Sequence, residues 1–191
     1  IRNEAGIATI AAAAISEATM RSRAEVFRIM RALRKLGGPW EGIQIASTAE
    51  QIGIRDGRRI HGRYQVTRDD LINGARQEDA VARVTFGVDI HADSKETNKT
   101  KPINNGGFKM RPYDIPLRAL IAKDVDGLMM AGRCISGDFI AHASYRVTGN
   151  AVAMGEAAGV TAALAALSKR LPLEVAWSES LAKLAKIGLR A

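Results

Sequence analysis

The 191-residue sequence predicts an α/β fold, because helical and strand-like patterns alternate along it. The first observation is an amphipathic helical pattern over Ser16 to Leu36. The second is an alternating apolar pattern over Ala82 to Ala92. The third is a short apolar run, Gly127 to Ala131, which leads through a loop into a helix of small residues from Thr148 to Leu167.

The N-terminal helical pattern has plausible ends. Ser16 is a suitable N-cap, while Arg34 and Lys35 suit the last turn, and Gly37-Gly38-Pro39 should stop the helix. Apolar residues at helical spacing share one face, which we expect to cover a core: Val26, Phe27, Met30 and Leu33.

The middle of the chain is predicted to contain short strands. Residues 62–66, "GRYQV", alternate as a strand does, and Thr67 resembles an N-cap that opens a short helix. The strand over Ala82 to Ala92 should place four apolar side chains on one face: Val84, Phe86, Val88 and Ile90. Asp89 and His91 should share the opposite face. The polar residues 93–107 are expected to form a loop or a long hairpin connection.

The C-terminal part should pass from extended chain to helices. Pro112 and Pro116 favour extended chain before a helical turn at Leu117 to Ile121, and "GLMMA" is expected to be a buried strand. In the helix that follows, small residues recur at every fourth position: Ala151, Gly155, Gly159 and Ala163. A helical glycine costs about 1 kcal/mol relative to alanine, so this stripe predicts close approach to another backbone. A last helix is expected near Glu179 to Ile187.

Composition restricts the functional classes. The single cysteine, Cys134, excludes an intrachain disulfide and a cysteine-cluster metal site, and we expect a buried structural thiol and a cytoplasmic location. The net charge of +8 raises the possibility of nucleic-acid binding, but no nucleic-acid motif accompanies it. Solvated or anion-facing basic side chains explain the charge better, and a missing acidic half of a larger protein would also explain it. The apolar stretch from Ile7 to Ile15 is shorter than the roughly 20 residues of a membrane span.

The glycine-rich stretch is the best candidate site. A strand ends at Gly132, and a helix begins around Thr148-Gly149-Asn150, whose free N–H groups suit an electron-rich oxygen or a phosphate. Arg133 and Arg146 would add positive charge. An ordinary, tightly packed strand–loop–helix explains the same pattern.

Other chemistry-bearing residues are sparse. The sequence contains no G-x-G-x-x-G, Walker A, H-E-x-x-H or G-x-S-x-G motif. Its three histidines, His61, His91 and His142, are too scattered to indicate a metal site. His91 and Asp89, at strand spacing, could form an acid/base or substrate-binding pair.

Two stretches resemble the FAD-dependent oxidoreductase family related to glutathione reductase. Tyr113 to Ala165 matches its C-terminal flavin-binding segment, in which the shared motif residues are Ile115-Pro116, Leu120, Ala131-Gly132-Arg133, Ser136, Arg146, Gly155 and Ala157-Ala158-Gly159. Upstream, "QIGIRDGRRIHGRYQVTRDD" and "GVDIH" resemble a second family stretch. The resemblance covers roughly Ser16 to Leu167.

The resemblance implies an FAD-dependent oxidoreductase that transfers a hydride between a small-molecule substrate and flavin N5. It assigns these residues to the cofactor: Gly132, Arg133, Ser136, Arg146, Val147, Thr148, Gly149 and Asn150. It places His91, Arg59 and Arg55 on the substrate side as candidate catalytic residues. The implied fold is the C-terminal part of a Rossmann-like FAD-binding domain (113–191), part of a β-rich substrate domain (41–112), and a helical joining segment (1–40).

The sequence departs from the family pattern because it lacks the G-x-G-x-x-G motif that receives the ADP half of FAD. We therefore expect a C-terminal portion of a longer protein, with the dinucleotide-binding half in the same or a separate chain. The isolated chain should bind FAD weakly or not at all and be inactive. A non-catalytic binding or assembly module with the same fold is the alternative. The resemblance does not identify the substrate.

Overall fold

A computed structural model of the protein describes residues 12–91, 103–105 and 107–189. The chain divides into two compact units, Ile1–Gly57 and Arg58–Ala191. In chain order, the helices and strands of the described residues are α1 (Ala12–Lys35), α2 (Arg68–Asn73), β1 (Ala80–Val84), β2 (Ile90–His91), β3 (Ile103–Asn104), β4 (Tyr113–Pro116), α3 (Phe139–Tyr145), α4 (Thr148–Ser168) and α5 (Trp177–Lys186). This mixture of helices and strands confirms the α/β class at a coarse level.

In the first unit, α1 begins earlier than predicted. It starts at Ala12, so Ser16 lies inside the helix and is not its N-cap. The reason is the preceding run of alanines, the strongest helix formers, which extends the helix backwards. Val26 and Phe27 are 40% and 52% exposed. The prediction that this face covers a core is therefore wrong for these two residues.

Among its described residues, the second unit contains two small antiparallel sheets. β1 pairs with β4, with Val84 opposite Tyr113, and β2 pairs with β3, with His91 opposite Ile103. The predicted connection over 93–107 therefore includes β3, and residues 93–102 and 106 of that connection lie outside the described residues. β1 and β4 come from segments that the family resemblance assigns to different domains. The proposed domain boundaries remain a prediction.

Two segments that were predicted to be strands form only isolated β-bridges. Residues 62–66 form only isolated bridges, Gly62 to Ala122 and Val66 to Gly137. In the "GLMMA" segment, Met129 bridges Ile121 and Leu128 is 40% exposed, so a buried strand was the wrong expectation. Single bridges satisfy the local backbone groups without extending into a ladder.

The long strand predicted over 82–92 is interrupted. β1 ends at Val84 and β2 begins at Ile90, so the residues between them are not regular strand. Val84 and Val88 are buried as expected, but Phe86 is 45% exposed. The apolar alternation therefore does not continue along one face.

Capping explains where the short helices begin. The Asp70 side chain accepts a hydrogen bond from the Thr67 backbone N–H at 2.8 Å, which confirms Thr67 as the start of α2. Asp138 serves two helices: Oδ1 accepts from the Ala141 N–H at 2.7 Å, and Oδ2 accepts from the Arg68 N–H at 2.7 Å. Asp138 thus ties the start of α3 to the start of α2.

The predicted C-terminal helices are confirmed to within three residues at each end. α4 runs from Thr148 to Ser168 and packs against α5. A Cβ added at Gly155 or Gly159 would meet nothing within 4 Å among the described residues. The expected close approach of another backbone to these glycines is therefore wrong for the described part of the chain. Within the described residues, α4 is therefore open at Gly155 and Gly159.

Helix α4 is also long and apolar enough to cross a membrane, judged by length and composition alone, and 22% of its most apolar stretch is buried. One such helix is weak evidence for a membrane span, because core helices of soluble proteins pass the same test.

The core of the second unit holds the end of α3 against the sheets. Tyr113 and Tyr145 are fully buried, and the Tyr113 hydroxyl donates to Ser144 Oγ at 3.1 Å. Ser144 Oγ in turn donates to the carbonyl oxygen of Phe86 at 2.6 Å. Burial raises the pKa of Tyr113, so this hydroxyl stays protonated and continues to donate. The hydrogen bonds fix the chain just before α4.

Candidate functional site

The N-terminus of α4 lacks an internal cap. Its N-cap residue is Val147, whose side chain cannot accept a hydrogen bond, and the helix ladder starts with the Ala151 N–H donating to the Val147 carbonyl oxygen at 3.2 Å. Thr148 and Gly149 are exposed. Valine is among the poorest N-cap residues, so the first amide groups of α4 are left for an external acceptor.

A tight turn lies beside this helix end. Gly132 begins a 3-10 turn, Gly132–Cys134, with φ at +71°, in the left-handed region that favours glycine. A Cβ on Gly132 would lie 3.5 Å from the Cβ of Ala151, in the first turn of α4. Arg133, the next residue, is exposed. The structure therefore brings the predicted Gly132–Arg133 pair to the start of α4.

Arg146 connects the same helix end to strand β2. Its Nη2 donates to the carbonyl oxygen of Asp89 at 2.7 Å, and the Asp89 N–H donates to the carbonyl oxygen of Ala143 at 3.1 Å. Two residues further along lies His91, whose backbone pairs in β2 and whose side chain lies outside the described residues. The backbone of β2 is thus tied to the α3–α4 junction.

The remaining predicted residues occupy different environments. Ser136 is buried, and a Cβ on Gly62 would lie only 2.5 Å from its Cβ, so Ser136 belongs to the packed layer behind the turn. Arg59 is half-buried and precedes Ile60, whose N–H donates to the Cys134 carbonyl oxygen at 3.0 Å. Arg55 is exposed and belongs to the first unit, while Arg59 belongs to the second.

Asn150 and Cys134 complete the immediate surroundings. Asn150 Nδ2 donates to the Tyr145 carbonyl oxygen at 3.5 Å, a long hydrogen bond across the junction. Cys134 is a free cysteine in the turn itself, and it is half-buried where a buried structural thiol was expected.

The electrostatics of this region favour an electron-rich ligand. The first turn of α4 contains no acidic residue, and the positive end of the helix dipole lies there. Gly149 lacks a side chain, and a Cβ added there would meet nothing within 4 Å among the described residues. A planar, oxygen-bearing group could therefore approach the N–H groups closely.

Two features of the site were not predicted from the sequence. The Asp89 backbone carbonyl receives Arg146, and no sequence signal marks a carbonyl group for that role. The second feature is the missing cap of α4, which the sequence could have predicted, because valine precedes the helix where serine, threonine or aspartate is usual.

Comparison with known proteins supports a flavin ligand. Residues 2–186 match the family described as FAD dependent oxidoreductase. No curated protein and no solved structure matches the chain. The family match implies FAD as the cofactor and an oxidoreductase type of function, and it does not favour the non-catalytic alternative. Because the match spans nearly the whole sequence, the chain belongs to the FAD dependent oxidoreductase family.

Proposed function

We propose that this chain supplies the ring side of an FAD site, related to that of glutathione reductase, and that the complete enzyme oxidises or reduces a small molecule there. The observation that carries the proposal is the uncapped start of α4 behind Val147, beside the Gly132–Arg133 turn. Those donors suit a flavin ring carbonyl, because its oxygen is electron-rich and accepts hydrogen bonds from backbone N–H groups.

The residues present fit that role. Backbone N–H groups of Thr148, Gly149 and Asn150 would hold the ring carbonyl, and the Arg133 guanidinium would add positive charge. Ser136 would support the turn from the packed layer, because its side chain is buried. Arg146 and Val147 would position the helix end, since Arg146 is already bonded to the Asp89 carbonyl oxygen.

When bound, FAD supplies the acceptor or donor of a hydride at N5, which is the redox chemistry that the side chains lack. In the oxidative direction, a base from this chain would take the proton that the substrate must lose together with the two electrons that bound FAD would accept. We propose His91 as the base, with Arg59 orienting an electron-rich part of the substrate, while the role of Arg55 remains the one that the resemblance implies. The position of β2 supports His91, because Arg146 holds the adjoining backbone.

The partner in this proposal is a dinucleotide-binding half that carries G-x-G-x-x-G, either in the same polypeptide or in a separate chain. The sequence contains no such motif of its own. The open face of α4 offers a surface for it: Val152 and Leu167 are 56% and 84% exposed, and nothing described lies against Gly155. A face this apolar is rarely left to water.

Equilibrium dialysis of the 191-residue chain against FAD and FMN tests the proposal. Both flavins should be retained weakly and about equally, because the chain offers nothing to the ADP half. Gly149→Trp should abolish retention by filling the space before the first turn. Gly155→Trp is the matched control, since it also points into open space on α4 but lies away from the helix start.

Two results would contradict parts of the proposal. Equal loss of flavin binding in Gly149→Trp and Gly155→Trp would show that the start of α4 is not the flavin site. Stoichiometric FAD on the purified wild-type chain would show that no separate dinucleotide-binding half is needed.

A further inference from the structure

The first unit contains a cavity that is independent of the residues discussed for flavin. It lies between α1 and the chain that follows the 3-10 turn at Gly38–Trp40, and its volume is about 430 Å³. That volume is within the usual size of small-molecule sites. Seven residues line it: Phe27, Met30, Arg31, Arg34, Gln44, Ile45 and Thr48.

Helix α1 holds both ends of the segment that forms one wall of this cavity. At one end, Arg34 Nε and Nη2 donate to the Ile43 carbonyl oxygen at 2.9 and 2.8 Å. At the other end, Arg23 Nη2 donates to the carbonyl oxygens of Ala49 and Glu50 at 2.8 and 2.9 Å. Residues 44–48 therefore span the distance between two arginine attachments, and Gln44, Ile45 and Thr48 of this span line the cavity, which is open to solvent.

A further contact secures the same segment beyond the second attachment. The Ile52 N–H donates to Thr19 Oγ1 at 3.1 Å, and Thr19 is the buried residue of α1. The segment is therefore held by side chains spread along four turns of one helix. A cavity with walls fixed in this way is built before any ligand arrives, which reduces the cost of binding.

The lining combines one apolar wall with several polar side chains. Phe27, Met30 and Ile45 supply the apolar wall. Within the described part of the chain, the side chains of Arg31 and Gln44 make no hydrogen bond or ion pair. No lining residue is acidic, so the positive charge of Arg31 faces the cavity without a carboxylate to neutralise it.

We propose that this cavity binds a small organic carboxylate with an apolar body. The carboxylate pairs with the Arg31 guanidinium, whose planar donors match its two oxygens. Gln44 donates to the same group, and the apolar body lies against Phe27 and Met30. A neutral apolar molecule would leave Arg31 unmatched, and a free inorganic anion would leave the apolar wall in water. The proposal depends only on the first unit and does not rest on the flavin function.

Isothermal titration of the full 191-residue chain with 4-phenylbutyrate tests this proposal. 4-Phenylbutanol, which has the same apolar body and no charge, is the matched ligand control. We expect 4-phenylbutyrate to bind about two- to fivefold more tightly than the alcohol, and Arg31→Gln to weaken it by about the same factor, because an ion pair at an exposed arginine is worth up to about 1 kcal/mol. Arg31→Lys should restore part of the affinity.

Arg21→Gln is the matched protein control, because Arg21 lies on the same exposed helix, is paired with Glu17, and does not line the cavity. It should leave binding unchanged, and circular dichroism should show equal helix content in all variants. Equal binding of acid and alcohol, no effect of Arg31→Gln, or no binding at all would overturn the proposal. Uptake of an acidic amphipathic peptide without uptake of 4-phenylbutyrate would assign the cavity to a protein segment and also overturn it.

Discussion

Arg146 Nη2 lies 2.7 Å from the carbonyl oxygen of Asp89, so one side chain connects the residue before α4's N-cap to the chain that enters β2. Both ends of this contact adjoin residues proposed to act in the reaction: Thr148 and Gly149 on one side, His91 on the other. The spacing between the start of α4 and β2 therefore depends on this guanidinium together with the hydrogen bond from the Asp89 N–H to the Ala143 carbonyl oxygen.

The first prediction concerns that contact. Arg146→Ala should lower the free energy of unfolding by about 1.5–3 kcal/mol, because it removes a partly buried hydrogen bond from a charged group. Urea denaturation measures this loss. Arg21→Ala, on an exposed helix with only a 3.7 Å surface ion pair, should change the stability by less than about 0.5 kcal/mol. Similar losses in the two variants would show that the Arg146 contact is not formed in solution.

The second prediction concerns the cap of α4. Val147→Asp supplies the missing side-chain acceptor, so it should occupy the N–H groups of the first turn and repel an electron-rich ring carbonyl. FMN retention in equilibrium dialysis should be lost although the helix remains intact by circular dichroism. Ala162→Glu adds the same charge at an exposed position in the middle of α4 and should retain FMN. Retention by Val147→Asp would show that the ligand does not use those N–H groups.

The third prediction compares how alanine substitutions change stability at Gly132, in the site, and at Gly155 and Gly159, on the open face of α4. Gly155→Ala and Gly159→Ala should each stabilise the isolated chain by about 0.5–1 kcal/mol, because alanine is the better helix former and no described atom lies nearby. Gly132→Ala should destabilise it by about 1–2 kcal/mol, because φ at Gly132 is +71°. Thermal unfolding of the three variants gives the comparison. Destabilisation at Gly155 would mean that another backbone already packs there.

The fourth prediction concerns alkaline pH. Burial, followed by the hydrogen bond to Asp70, raises the pKa of Tyr64 to about 12, and its hydroxyl donates to Asp70 Oδ1 at 2.6 Å. The unfolded chain loses this proton near pH 10, so the stabilisation by Tyr64 is complete below that pH and is lost as the pH rises to about 12.

Tyr64→Phe should therefore reduce the decline in stability between pH 10 and pH 12. Denaturation by urea at several pH values, with tyrosinate absorbance as a direct titration, checks the expectation. An unchanged decline in the variant would assign the effect to other residues.

The sequence predicted the helices better than the strands, for a physical reason. Helix signals are local: Thr67 and the small residues of α4 identify their elements without reference to distant chain. Strands depend on partners elsewhere, so "GRYQV" could not be distinguished from a pair of isolated bridges. The start of α1 was placed too late because the alanines before Ser16 are strong helix formers and give no local signal for where the helix begins.

The same distinction applies to the site. Local sequence predicted the turn at Gly132 and Arg133 and the start of α4, because both glycine turns and helix starts have short-range sequence signals. The Arg146–Asp89 contact could not be predicted, because it joins a side chain to a carbonyl 57 residues earlier in the chain. The open face of α4 also differs from the sequence expectation, since a stripe of small residues does not specify what packs on it.

The central claim is that the first amide groups of α4 face the flavin ring. Two-dimensional ¹⁵N NMR of the labelled chain, titrated with FMN, tests it most directly, and inorganic phosphate at the same concentration is the control for the phosphate of FMN. The account predicts that FMN shifts the amide signals of Thr148, Gly149, Asn150 and Gly132, and that phosphate alone does not. Shifts that phosphate reproduces, or FMN shifts confined to other parts of the chain, would contradict it.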